Sequence, residues 1–326
     1  MGLTLILIRK ITTLSFICLL SFFLVYSSYA SVFDFDEDDF FLEALWHRVK
    51  LISKEKRPKV ALVLGGGGAR GISHIGVLRV IEKEHIPIDL VVGTSVGSII
   101  GAFYCAGLSV DKIDELAKNF SFKRVSNFNS LSLINMFLNQ KLLSNQKLES
   151  FINDNIGQIC FNELKIPLVC IATDLNTGER ILLRDGNVAF AAKASATVPG
   201  VFKPVEYKQR YLIDGGLFEN IPVNVAKIFD ADVIIAVSAA ADITKNNVDN
   251  VFFTLVQAIY IQGQVLDQYN LEMADIVIRP DVGSLSIIDF SKSYNTINKG
   301  FIAAQNSVKN IKMVIINKTP EKYLIE

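Results

Sequence analysis

The pentapeptide Gly93-Thr94-Ser95-Val96-Gly97 constrains the fold of this chain more than any other stretch. It follows the apolar run Ile88-Asp89-Leu90-Val91-Val92 and leads into Ile99, Ile100 and Ala102. The run reads as a buried strand, the pentapeptide as a sharp turn carrying Ser95, and the residues behind it as a helix. Glycines at 93 and 97 allow close backbone approach and unusual dihedrals at the turn. The helix N-terminus behind Ser95 favours developing negative charge. A G-x-S-x-G serine in this setting can act as a nucleophile. Its usual partner is missing, because His47, His74 and His85 all precede Ser95 and the order Ser, acid, His cannot be written. Either Ser95 is not a nucleophile or its base is not a histidine.

The surrounding pattern predicts an α/β fold with a mainly parallel central sheet and helices on both faces. Val60–Leu64, Ile88–Val92 and the stretches 166–172 and 232–238 are apolar without alternation, as strands buried on both faces must be. Helical stretches separate them, including one that runs from the first glycine loop to about Glu84 and one over 249–272. Tyr211-Leu212-Ile213 reads as a short strand running into Asp214, and Ile276–Ile278 and Val314–Ile316 as strands continuing the sheet or its flank. Residues 120–152 are rich in Phe, Leu and Asn without a clean period. They fit helices packed on the sheet, or an acyl-chain groove or lid.

The first thirty residues stand apart. Arg9 and Lys10 precede an uncharged run from Ile11 to Tyr26, and Ser28-Tyr29-Ala30 follows, which is the layout of a cleaved export signal. The run is also about long enough for an uncleaved anchor, which needs roughly 17–25 residues. The expected location is therefore periplasm, outer membrane or outside, or a membrane-anchored form. Residues 31–59 read as a charged linker with one short helix around Phe41–Ile52, 60–240 as the catalytic domain, and 241–326 as a C-terminal extension packed on it. A net charge of zero and the absence of a basic stripe argue against nucleic acid. The four cysteines, Cys18, Cys105, Cys160 and Cys170, form neither a disulfide framework nor a metal-ligand spacing, so no metal is expected. Oligomeric state is not readable.

The first strand ends in Gly65-Gly66-Gly67-Gly68-Ala69-Arg70-Gly71, a loop whose amides can face a phosphate or an oxyanion. A P-loop would end in Gly-Lys-Ser/Thr, and this loop has Ala-Arg-Gly. Gly66, Gly68 and Gly71 have dinucleotide-fingerprint spacing, but Gly93-Thr94-Ser95 stands where an acidic residue would hold the ribose. No cofactor is therefore expected. Two consecutive strand ends in a parallel sheet bring the glycine amides and Ser95 to the same edge. The missing base would come from another loop. Asp214-Gly215-Gly216 is the leading candidate, although a structural Asp in a turn fits the local sequence equally well.

Four segments in register resemble the patatin-like phospholipase family: Gly66–Gly71, Gly93–Gly97, Ala194-Ser195-Ala196-Thr197-Val198-Pro199 with Phe202 and Pro204, and Asp214-Gly215-Gly216. They span residues 60 to about 240. The Asp-Gly-Gly motif and four-glycine loop are most similar to the bacterial lysophospholipase branch, near neuropathy target esterase. The resemblance implies a three-layer architecture and a Ser–Asp dyad without histidine. Ser95 would attack an ester carbonyl, Asp214 would take its proton, and the amides of Gly66, Gly67 and Gly68 would hold the oxyanion. The implied substrate is a phospholipid or lysophospholipid met at a membrane surface. An acyltransferase or thioesterase would use the same chemistry, and a non-catalytic nucleotide- or membrane-binding module is a further alternative.

Overall fold

The computed structural model describes residues 37–118, 142–240, 251–283, 285, 290 and 293–325. The expected export segment lies outside these residues, as does most of the Phe- and Leu-rich stretch. The chain divides into two units, Met1–Arg48 and Val49–Glu326. Residues 37–48 of the first belong to helix α1 (Glu37–Leu51), the short helix expected in the linker.

In the second unit β1 (Val60–Leu64) runs through the glycine loop and a 3₁₀ segment (Gly68–Ser73) into α2 (His74–Lys83), β2 (Leu90–Thr94) and α3 (Val96–Ala106). Helices α4 (Val110–Lys118) and α5 (Gln146–Ile156) precede β3 (Leu168–Asp174) and β4 (Arg180–Leu183). Helix α6 (Val188–Ser195) leads to the hairpin of β5 (Val205–Tyr207) and β6 (Arg210–Asp214), followed by α7 (Val223–Ile228) and β7 (Val233–Val237). The rest is α8 (Val251–Leu271), β8 (Ile276–Ile278), α9 (Asn295–Lys318) and α10 (Lys322–Ile325).

These strands form one eight-stranded sheet in the order β5-β6-β3-β2-β1-β7-β8, with β4 beside β3. The run from β3 to β8 is parallel, and β4, β5 and β6 are antiparallel additions. The segment after residue 240 adds β8 to this sheet and lies in the same compact unit.

Register explains how distant parts of the chain meet. Cys170 and Ile171 of β3 pair with β2 on one edge and with β4 on the other. Ala172 and Thr173 pair with β4 and β6, so β6 must share the edge used by β2. Thr94 at the end of β2 sits opposite Ile171, and Asp214 at the end of β6 sits opposite the next residue, Ala172. Two strands thus meet end to end along one edge of β3, one finishing beside Ser95 and the other on Asp214.

Alternate residues of the parallel strands face different layers, because side chains alternate along a strand. Ala61, Val63, Leu90, Val92, Ile171 and Ile234 pack with Ile221, Val223, Val225 and Ala226 on one face. On the other, α3 lies so close that a Cβ on Gly101 would stand 3.2 Å from both Leu168 and Val91. Each fully buried large apolar side chain contributes about 1.5–3 kcal/mol. In the outer layer α9 crosses α2 at a glycine pair. A Cβ on Gly76 would come within 1.9 Å of Ile297 O, and one on Gly300 within 1.9 Å of Ser73 O.

Val314–Ile316 is a correction to the expected strands, since it belongs to α9. Its apolar residues continue the buried series Ile297, Gly300, Ala304, Val308, Ile311 and Ile315, which has helical spacing. A short apolar run taken alone does not distinguish the two structures. The helix after the glycine loop also begins later than expected, because the loop first closes into the 3₁₀ segment.

Candidate active site

Ser95 stands between the last residue of β2 and the first of α3, with φ 54° and ψ −124°. Positive φ is unusual for a residue with a Cβ and is held only where the surroundings over-determine it. Two constraints act here. A Cβ on Gly97 would lie 2.1 Å from Leu64 O, so α3 starts in backbone contact with the end of β1. The Ser95 N–H donates to Ser195 Oγ at 2.9 Å. Ser195 Oγ in turn donates to Ile171 O at 2.5 Å, which spends its only proton and leaves Ser98 as the donor in their 2.8 Å contact.

The Ser95 hydroxyl donates to Asp214 Oδ2 at 2.6 Å across 119 residues of sequence. Both side chains are buried, at 8% and 7% exposure. Burial pushes the Asp214 carboxyl up to about 6, against hydrogen bonds from Ser95 and the Gly216 amide that favour its charge. The Gly216 N–H reaches Oδ1 at 2.8 Å, so each carboxylate oxygen accepts one bond. The Asp214 N–H donates to Thr197 O at 2.8 Å. Thr197 Oγ1 is itself held, accepting from Asn145 Nδ2 at 2.7 Å and donating to Lys193 O at 2.8 Å. The Ala194–Pro199 segment therefore supports both members of the pair.

The glycine loop lies against the serine, since a Cβ on Gly66 would stand 3.3 Å from Ser95 Cβ and 2.5 Å from Asn220 Oδ1. Gly67 and Gly68 both take positive φ, 151° and 54°. Of the three amides singled out in the sequence, that of Gly66 already donates to Asn220 O at 3.1 Å. Those of Gly67 and Gly68 reach no backbone acceptor among the described residues. Gly71 packs on the residue after the serine, where a Cβ would meet Val96 Cγ1 at 2.2 Å. Gly93 and Gly215 are equally confined, with added Cβ atoms 2.7 Å from Ser98 N and 2.2 Å from Ile171 O.

Neither His74 nor His85 is arranged as a base. His74 is fully buried and its pKa is pushed down to about 4 by desolvation. Its Nε2 lies 2.8 Å from Gly65 O, and a carbonyl only accepts, so that nitrogen carries the proton. His74 thus pins the start of the glycine loop. His85 is exposed in the loop before β2, a strand length from Ser95. The described residues contain no cluster of three or more His, Cys, Asp or Glu side chains able to hold a metal.

The family model for patatin-like phospholipases matches residues 62–227, half of the chain. This chain belongs to the patatin-like phospholipase family. Among its patatin-like relatives is an uncharacterized NTE family protein of Mycobacterium bovis, 33% identical over 182 residues, or 56% of this chain and 49% of that protein. Lysophospholipase NTE1 of Debaryomyces hansenii is 33% identical over 192 residues, 59% of this chain but 12% of the relative. The chain therefore spans about half of one relative and a small part of the other. The solved structure of human GIVD cytosolic phospholipase A2 aligns over 89% of this chain and 65% of its own, with 11% identity and a TM-score of 0.48.

Within this patatin-like site, sequence reasoning brought together Ser95, Asp214, the glycine loop and the motif glycines. It does not mark Ser195 or Asn220. Ser195 lay inside a quoted motif, but nothing local marks its hydroxyl as the acceptor for Ser95 N–H. Asn220 follows Asp214 by six residues, and nothing in the local sequence ties it to the glycine loop.

Proposed function

We propose that this chain is a serine lipid acyl hydrolase that cleaves carboxylic esters of phospholipids or lysophospholipids. The observation that carries the reading is the 2.6 Å hydrogen bond from Ser95 Oγ to Asp214 Oδ2 on an elbow beside the glycine loop. Ser95 Oγ bonds to the ester carbonyl carbon as its proton passes to Asp214, and the carbonyl π pair moves onto oxygen. The Gly67 and Gly68 amides stabilise that oxyanion, with Gly66 joining only if its bond to Asn220 opens. Collapse expels the alcohol, which takes the proton from Asp214. Water then adds to the acyl-enzyme by the same steps, and the free acid leaves.

Burial of Asp214 suits this role. A carboxylate of ordinary pKa is a poor proton acceptor, and a value of about 6 brings it closer to the working pH. Val96, the residue after the serine, lines an apolar cavity together with Ile99, Ile100, Phe103, Ile113 and Phe151. Approach to a membrane and export through the N-terminal segment belong to the same reading.

The test is hydrolysis of labelled lysophospholipid and of a short-chain p-nitrophenyl ester by the wild type and by Ser95→Ala. Free fatty acid from the wild type and none above background from folded Ser95→Ala is expected. Comparable hydrolysis by both proteins would remove Ser95 from the chemistry.

A further inference from the structure

The glycine loop is held from outside the Ser95–Asp214 pair. Gly66 N–H donates to Asn220 O, and the Asn220 side chain reaches the same place. A Cβ on Gly66 would meet Asn220 Oδ1 at 2.5 Å and one on Gly216 would meet it at 3.4 Å. Asn220 therefore stands between the oxyanion loop and the turn that carries Asp214. Its amide is fixed by α8, where Asp267 Oδ2 accepts from Asn220 Nδ2 at 3.0 Å.

Asp267 is an expensive residue to place there. It is 7% exposed, and among the described residues it has no ion pair. Its Oδ1 has no hydrogen-bond partner. The neighbouring Glu219 also has an unpartnered Oε1, but its Oε2 is paired with Arg180 Nη1 at 2.6 Å, which also reaches Asn224 Oδ1 at 2.5 Å. Desolvation pushes Asp267 up to about 6, opposed by its bonds from Asn220 and the Ile221 amide. A buried carboxylate without a cation costs folding free energy that an apolar residue would not. A local choice that conflicts with stability is expected where a site needs it.

We propose that Asp267 is a positioning residue for the oxyanion loop. By locking the Asn220 amide it fixes the Gly66 end of the loop, and so the aim of the Gly67 and Gly68 amides. The inference rests on Ser95 being the nucleophile. A displacement of about 1 Å at a reacting centre costs on the order of 100-fold in rate, and an indirect support is expected to cost about 10- to 100-fold.

The test uses the full chain and a p-nitrophenyl ester, with thermal melts on each variant. Asp267→Leu is expected to lower kcat about 10- to 100-fold while KM stays within about twofold. Asn220→Ala removes the same bond from the other side, so it serves if Asp267→Leu fails to fold, and should give the same loss. The double variant should fall no further than either single one. Asp267→Asn, which keeps an acceptor oxygen, should recover most of the rate. Affinity for an alkyl trifluoromethyl ketone, which Ser95 converts to a tetrahedral oxyanion adduct, should fall by the same factor as kcat. An unchanged kcat in Asp267→Leu or Asn220→Ala, or a loss confined to KM, would overturn the assignment while leaving Ser95 in place. A wild type with no hydrolysis at all would overturn both.

Discussion

The layer between the sheet and α7 and the layer at the carboxyl ends of β2 and β6 are both buried, yet they are built on opposite principles. The first is apolar throughout, with Ala61, Val63, Val92, Ile171 and Ile234 against Val223, Val225 and Ala226. The second buries Ser95, Ser98, Ser195, Thr197, Asp214, Glu219 and Asp267. One gains stability from every group it hides. The other holds a serine at positive φ and two carboxyls whose pKa values burial raises to about 6. Substitutions in the two layers should therefore have different signatures.

Ile234→Ala should break the apolar layer most severely, with a loss of about 2–5 kcal/mol in unfolding free energy. Denaturant melts should show it, and kcat of the remaining folded protein should stay near wild type. Should kcat fall in proportion, the two layers are not independent.

Ser195→Ala should have the reverse signature. It leaves the Ser95 N–H and Ile171 O without their partner, so kcat should fall about 10- to 100-fold. The accompanying stability loss should be about 1–3 kcal/mol. Steady-state kinetics at matched folded fraction separates the two effects. Equal kcat in the variant would mean that the strained serine needs no such tether.

Asp214→Asn should change stability by a similar amount to Ser195→Ala but with the opposite sign at neutral pH. The folded pKa is raised, so between about 4 and 6 the folded state binds more protons than the unfolded one. Stability from this group is greatest at low pH and is lost as pH rises through the folded value. Replacing the ionised group with a neutral amide should therefore stabilise the protein at pH 7–8, by about 1–3 kcal/mol, while abolishing turnover. Melts of both proteins from pH 4 to 8 should converge at the acid end. A variant less stable than wild type at pH 8 would contradict the burial cost assigned to Asp214.

The same contrast explains what the sequence revealed. The apolar strands and the glycine-bounded elbow are local patterns, so β1, β2, β3, β7 and β8 and the setting of Ser95 were legible. Asp214 was reachable because its Gly-Gly turn is also local, and the family resemblance then gave it a role. Ser195 and Asp267 were not, because their contacts reach 100 residues away to Ser95 and 47 residues away to Asn220. The occupation of the Gly66 amide by Asn220 O is likewise a tertiary fact. Val314–Ile316 was misread because its helical partners lie outside the short window that resembles a strand.

The most direct measurement is the rate and position of labelling by an alkyl fluorophosphonate, in which Ser95 Oγ displaces fluoride from phosphorus. Peptide mass spectrometry should find one adduct, on Ser95, in the wild type. Its rate should rise with pH through about 6 as Asp214 ionises and then level off. Asp214→Asn should label at least about 1000-fold more slowly. An adduct on another residue, or labelling of Asp214→Asn at the wild-type rate, would contradict a Ser95–Asp214 catalytic pair.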